Sequence, residues 1–131
     1  SEMCIRDRLK TFNDHFIEFI DDIIKVFPEN SDLVAIKNSF INFRKLNPKL
    51  VLGVFKTYVI DKYSQEIDDK NIDFFINKNY EVDLQDNSSS SMIIEKIDKL
   101  RDPVREMSQD NQDKVLKYLQ NLKKLCLLYN Q

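Results

Sequence analysis

Few residues in this chain have the type and spacing to do chemistry. Its single histidine, His15, has Glu18 three residues on and Asp22 seven on. On a helix those positions share one face. An imidazole beside two carboxylates is half of a metal site. The other half would come from a facing helix, as in bundles where two helices each supply a Glu-x-x-His pair. The sequence has no second histidine, so the pattern reads as a surface histidine in an acidic helix, and no metal site is expected.

Nucleophilic catalysis fares no better. A cysteine nucleophile needs a neighbouring base and an electropositive setting to lower its pKa. Cys4 and Cys126 stand at opposite ends of the chain and form no disulfide framework, which points to a reducing, intracellular compartment or to indifference. Cys126 falls on the apolar seam of a helix, where a thiol behaves as a small hydrophobe. The carboxylate pairs Asp21-Asp22 and Asp68-Asp69 show no contrast of buried and solvated partners, which general acid–base pairs require. Four serines after Asp86-Asn87 read as a loop tip and not as a nucleophile elbow. Gly53 is the only glycine. Phosphate-cradling loops and tight hairpins lean on glycine, so nucleotide sites and β-rich folds are both disfavoured. The expectation is a chain that is not an enzyme and carries no cofactor.

Charge is distributed unevenly. The net charge is −2, yet residues 31–63 hold six basic residues against two acidic ones. Lys37 and Arg44 are seven apart, as are Lys49 and Lys56, so each pair shares a helical face. With Lys45 they would form a basic strip for phosphate or an acidic partner surface. No aromatic residues interleave with these lysines as a stacking platform would require, and a solvated face is the better reading of the strip.

The elements that must position these residues follow from apolar periodicity. Leu9, Phe12, Phe16, Ile20, Ile23 and Phe27 recur every three or four positions, predicting a helix over 9–27 that Pro28 ends. Asn30 or Ser31 caps a second helix that runs to about Leu46. Asn47-Pro48 reads as a cap followed by proline at the first helical position, opening a third helix over 48–67. That helix is apolar nearly all round, and Gly53 inside it suggests close approach of another helix. Residues 72–76 are short enough for a helical turn or two or for a strand, with helix the favoured reading. Residues 77–91 read as a polar loop in which Tyr80, Val82 and Leu84 alternate as in an extended segment across the core. A fifth helix covers about 90–100 and breaks or kinks at Asp102-Pro103. Ser108 caps the last, over 109–129. Its seam of Val115, Leu119, Leu122, Cys126 and Tyr129 steps by four and three, as in a coiled coil, and offers an apolar surface for another chain. The nine phenylalanines are read as mainly core; Phe19 or Phe43, if either lies off its stripe, is a further candidate for an interface.

A length of 131 residues with 42% hydrophobic and 32% charged content fits a single globular domain with its own core. The fold class predicted is all-α: a compact bundle of five to six helices with one polar loop near 77–91. No apolar run approaches the roughly 20 residues of a membrane span. The first eight residues resemble translated sequencing-adapter read-through, so 1–8 is read as a non-native or disordered tail and 9–131 as the domain. Lysines outnumber arginines 15 to 5, as AT-rich coding tends to give.

The run Phe12-Asn13-Asp14-His15-Phe16, with Lys45-Leu46-Asn47-Pro48-Lys49 and Tyr58-Val59-Ile60-Asp61-Lys62-Tyr63, is similar to small proteins encoded by large DNA viruses of algae and other protists. So is Lys117-Tyr118-Leu119-Gln120-Asn121-Leu122. The resemblance carries no assigned activity; it implies a host-cell or virion setting. The function expected is non-enzymatic: a binding or structural protein acting through apolar helix faces, with a protein partner or self-association. The alternative is a nucleic-acid accessory protein using the basic strip.

Overall fold

The computed structural model describes residues 4–77 and 89–129. Those residues form an all-α fold. Helix α1 spans Ile5–Val26 and α2 spans Ser31–Leu46; a third helical unit comprises α3 (Leu50–Phe55), a π-helical turn (Lys56–Ile60) and α4 (Asp61–Asp68). The short α5 (Asp73–Ile76), α6 (Ser89–Arg105) and α7 (Gln109–Tyr129) complete it. No helix among them is long and apolar enough to cross a membrane. Helix α1 begins at Ile5, so half of the expected tail belongs to its first turn, and Arg8 donates to the carbonyl of Leu128 at 2.7 Å.

Local chemistry sets most boundaries. The amide of Phe27 closes α1 on the carbonyls of Ile23 and Ile24, just before Pro28. Asn30 caps α2 by accepting from the Asp32 amide, and Asn47 accepts from the Lys49 amide at 3.0 Å to open α3. Ser108 Oγ accepts from the Asn111 amide at the start of α7. In each case a side-chain oxygen satisfies an amide that the first turn leaves without a helical partner.

Two expectations are corrected at the ends of α6. Ser89, Ser90 and Ser91 are helical, not loop, and Ser91 is buried; most of the expected 77–91 loop otherwise lies outside the described residues. Pro103 does not break the helix but sits in its last turn. A proline there costs one backbone bond near an end that would soon fray. Val104, fully buried, holds the turn against the core.

The third unit answers a phasing problem. Val54 and Phe55 are buried, and so are Val59 and Ile60, five residues later. Five residues overshoot one turn of an α-helix by about 140°, which would put the second pair on the opposite side. The π turn takes up the excess: the Asp61 amide bonds the carbonyl of Lys56, five residues back. Further on, α4 ends in a Schellman motif. The Asn71 amide bonds the Glu66 carbonyl at 2.9 Å and the Lys70 amide bonds that of Ile67 at 3.2 Å. Lys70 takes the left-handed conformation, φ 59°, that glycine adopts more readily. Gly53, by contrast, makes no close approach. It is exposed, and an added Cβ would meet nothing within 4 Å.

Phenylalanines form the centre of the core. Phe16 packs against Phe40 at 4.8 Å and edge-on to Phe55 at 5.6 Å between ring centroids. Phe19 and Phe43 are buried with them, so neither stands on the surface as an exposed interface residue, and Phe19 shows only an edge in a depression between α1 and α7. Asn13 is the polar exception on this face of α1. Buried, it donates from Nδ2 to the carbonyl of Pro48 at 2.9 Å, fixing the α2–α3 corner against α1. On the far side, the fully buried Arg101 of α6 bonds Asp98 at 2.8 Å and the carbonyl of Phe75, with its guanidinium 4.4 Å over the Phe75 ring. Arg105 bonds the carbonyl of Ile76. Together these two arginines tie α5 to α6.

Candidate functional site at the α1–α7 groove

Helices α1 and α7 lie antiparallel: Arg8 meets Leu128 at one end, and Ile23 and Val26 face Met107 and Val115 at the other. His15, Glu18 and Asp22 share the α1 face that borders α7, as their spacing predicts. What completes the cluster is Tyr118. Its ring lies 4.9 Å from the His15 ring and 5.4 Å from that of Phe19. Its hydroxyl donates to Asp22 and lies 3.4 Å from Glu18 Oε1. His15 Nδ1 is 3.5 Å from Glu18 Oε2, and its Nε2 is buried without a hydrogen-bond partner among the described residues.

The electrostatics favour hydrogen bonding over proton release. Burial first, then the carboxylates of Asp22 and Glu18, push the Tyr118 phenol well above its ordinary value. The phenol therefore stays a donor. Among the described residues no group of three or more histidine, cysteine or acidic side chains is disposed to hold a metal ion. Cys126 lies elsewhere, in the core, where burial chiefly pushes its thiol up to about 12. A thiol so held is a poor nucleophile.

Tyr118 separates two depressions. One, of about 210 Å³, has an apolar floor of Phe19, Ile23, Val26, Met107 and Val115, with Asn111 at its edge. The other, of about 270 Å³, is lined by His15, Glu18, Lys117 and Asn121. Asp22, Lys114 and Tyr118 are their common wall.

The structure redistributes the other candidate residues. The α7 seam is not a surface: Val115, Leu119, Leu122 and Cys126 are buried against the chain's own core and Tyr129 packs beside them. A period of three and four marks a buried stripe whichever helix covers it, and here α1 does chiefly, with α4, α6 and the π turn beside it. The basic strip is likewise broken up. Lys37 pairs with Asp21 at 2.8 Å, Arg44 with Asp14 at 2.6 Å and Lys56 with Asp61 at 3.1 Å. Lys45 and Lys49 remain exposed. Burial raises the Asp14 carboxyl, but its bonds to Lys10 and Arg44 outweigh this and hold it below the usual carboxylate value. The packing of α1 on α2 sets Asp21 and Asp14 opposite Lys37 and Arg44, a relationship invisible to spacing within α2, whereas Lys56 meets Asp61 five residues on in its own helical unit.

Comparison with known proteins finds no matching family model, no matching curated protein and no matching solved structure.

Proposed function

We propose that the chain is a non-enzymatic binding domain that receives a protein partner in the α1–α7 groove. The observation that carries this reading is the apolar depression beside Tyr118. At about 210 Å³ it is smaller than the roughly 300–1,000 Å³ of most small-molecule sites. That size suits a single anchoring side chain of a protein, the kind of contact that dominates interface energetics. Tyr118 suits the role too, as an aromatic with one apolar face and a bonded hydroxyl. The protonated phenol and the buried thiol are both poorly disposed to catalysis, which supports the non-enzymatic part. An intracellular, virus-encoded setting accords with the resemblance of the Phe12–Phe16 and Lys117–Leu122 runs. Pairing of Lys37, Arg44 and Lys56 with acids weakens the nucleic-acid alternative.

The test is affinity capture from source cells with the full chain and with Asn111→Trp, which fills the depression from its rim. Partners retained by the parent and lost by the folded variant support the reading. Equal recovery by both would remove it.

A further inference from the structure

We infer that the partner segment is an acidic amphipathic helix, its apolar anchor entering the depression and its carboxylates meeting Lys114 and Lys117; this rests on the proposed role of the groove in binding a protein. Lys114 and Lys117 are exposed, and neither has a carboxylate partner among the described residues. They stand one turn apart on α7, about 5–6 Å between Cβ atoms, which matches acids spaced three or four apart on a facing helix. The acids of the opposite wall are already engaged. Asp22 accepts from Tyr118 and pairs with Lys25 at 3.4 Å, and Glu18 lies 3.4 Å from the Tyr118 hydroxyl and 3.5 Å from His15 Nδ1. Asp110 and Asp113 of α7 line neither depression. The charge the groove offers is therefore basic, beside an apolar floor. Glu18 and Asp22 on the α1 wall interrupt that basic surface and disfavour the uniform phosphate backbone of a nucleic acid, which binds best to an unbroken basic one.

Three labelled helical peptides of equal length test this by anisotropy and by NMR on the intact chain. The first carries an apolar stripe flanked by glutamates, the second has lysines in place of the glutamates, and the third keeps the glutamates but has serines in the stripe. A short single-stranded DNA is run beside them. The first peptide is expected to bind at least about tenfold more tightly than the others, a difference of about 1.4 kcal/mol. It should shift Met107, Val115 and Tyr118 resonances and weaken with salt. Lys114→Glu with Lys117→Glu should reverse the preference toward the second peptide. Equal binding of the first and second peptides at the groove overturns the acidic preference and leaves the groove reading standing. Tighter binding of the third peptide or of DNA overturns the amphipathic inference. If no peptide moves the groove resonances, both readings fall.

Discussion

The hydroxyl of Tyr118 on α7 donates to the carboxylate of Asp22 on α1, across 96 residues of sequence. Replacing Tyr118 with phenylalanine removes this bond and leaves the ring packing in place. A partly exposed charge-assisted bond of this kind contributes about 1 kcal/mol, so urea unfolding of Tyr118→Phe should show a loss of that order. Burial of the phenol, together with the bond, also fixes a pH dependence. The phenol's pKa is raised on folding, so its contribution is complete below the ordinary tyrosine value near 10 and is lost as pH climbs above it. Absorbance titration should find a tyrosine step well above pH 10, and Tyr118→Phe should remove that late step.

Asn13 offers a sharper stability test. Its Nδ2 is the donor to a part-buried carbonyl at the α2–α3 corner. Asn13→Ala leaves that carbonyl unsatisfied and opens a small gap, a combination that costs about 1–3 kcal/mol. Hydrogen exchange should quicken first at the amides of Leu50 and Gly53, which open α3. A variant as stable as the parent would contradict the pinning role.

Two backbone substitutions should stabilise the chain. Gly53→Ala adds a methyl into open space and recovers helix propensity of about 1 kcal/mol. Lys70→Gly relieves a left-handed residue at the end of α4, worth roughly 0.5–1 kcal/mol. The residues are distant along the helix and have different roles, so the double variant should show near-additive gains in thermal melting.

Thiol labelling separates the two cysteines. Cys4 is exposed and Cys126 buried, so a thiol reagent should modify Cys4 at once and Cys126 only at the rate of unfolding. Burial raises the Cys126 pKa, so the thiol's contribution to stability holds below its ordinary value near 9 and fades as pH rises toward about 12. Two rapid labelling events in the native state would contradict the burial.

Helices were legible in the sequence because burial of one face imposes the period itself. The stripe from Leu9 to Ile23 and the seam from Val115 to Cys126 are both buried, and Asn30, Asn47 and Ser108 cap as their residue types suggest. What periodicity cannot reveal is which stripe covers which. That is why the α7 seam resembled a surface and why Lys37 and Arg44 resembled an unpaired strip. His15, Glu18 and Asp22 were visible as a face, but Tyr118 arrives from another helix, and nothing in its own spacing announced that its hydroxyl would find Asp22. The break expected at Pro103 failed because side-chain burial at Val104 outweighs one missing amide bond.

The π turn has a consequence for the chain's tolerance of length change. It holds one residue more than the phase of the helix requires, a surplus absorbed by widening. Deleting the exposed Thr57 would bring the two buried pairs to a spacing of four, that of an ordinary helix. Helix α4 would then keep its orientation, Ile67 would stay in the core, and circular dichroism should show a folded protein. The same deletion inside α4, ahead of Ile67, would rotate that residue by about 100° toward solvent. Slack in the chain's count is therefore local: one residue can be given up at the turn, and none a few positions later.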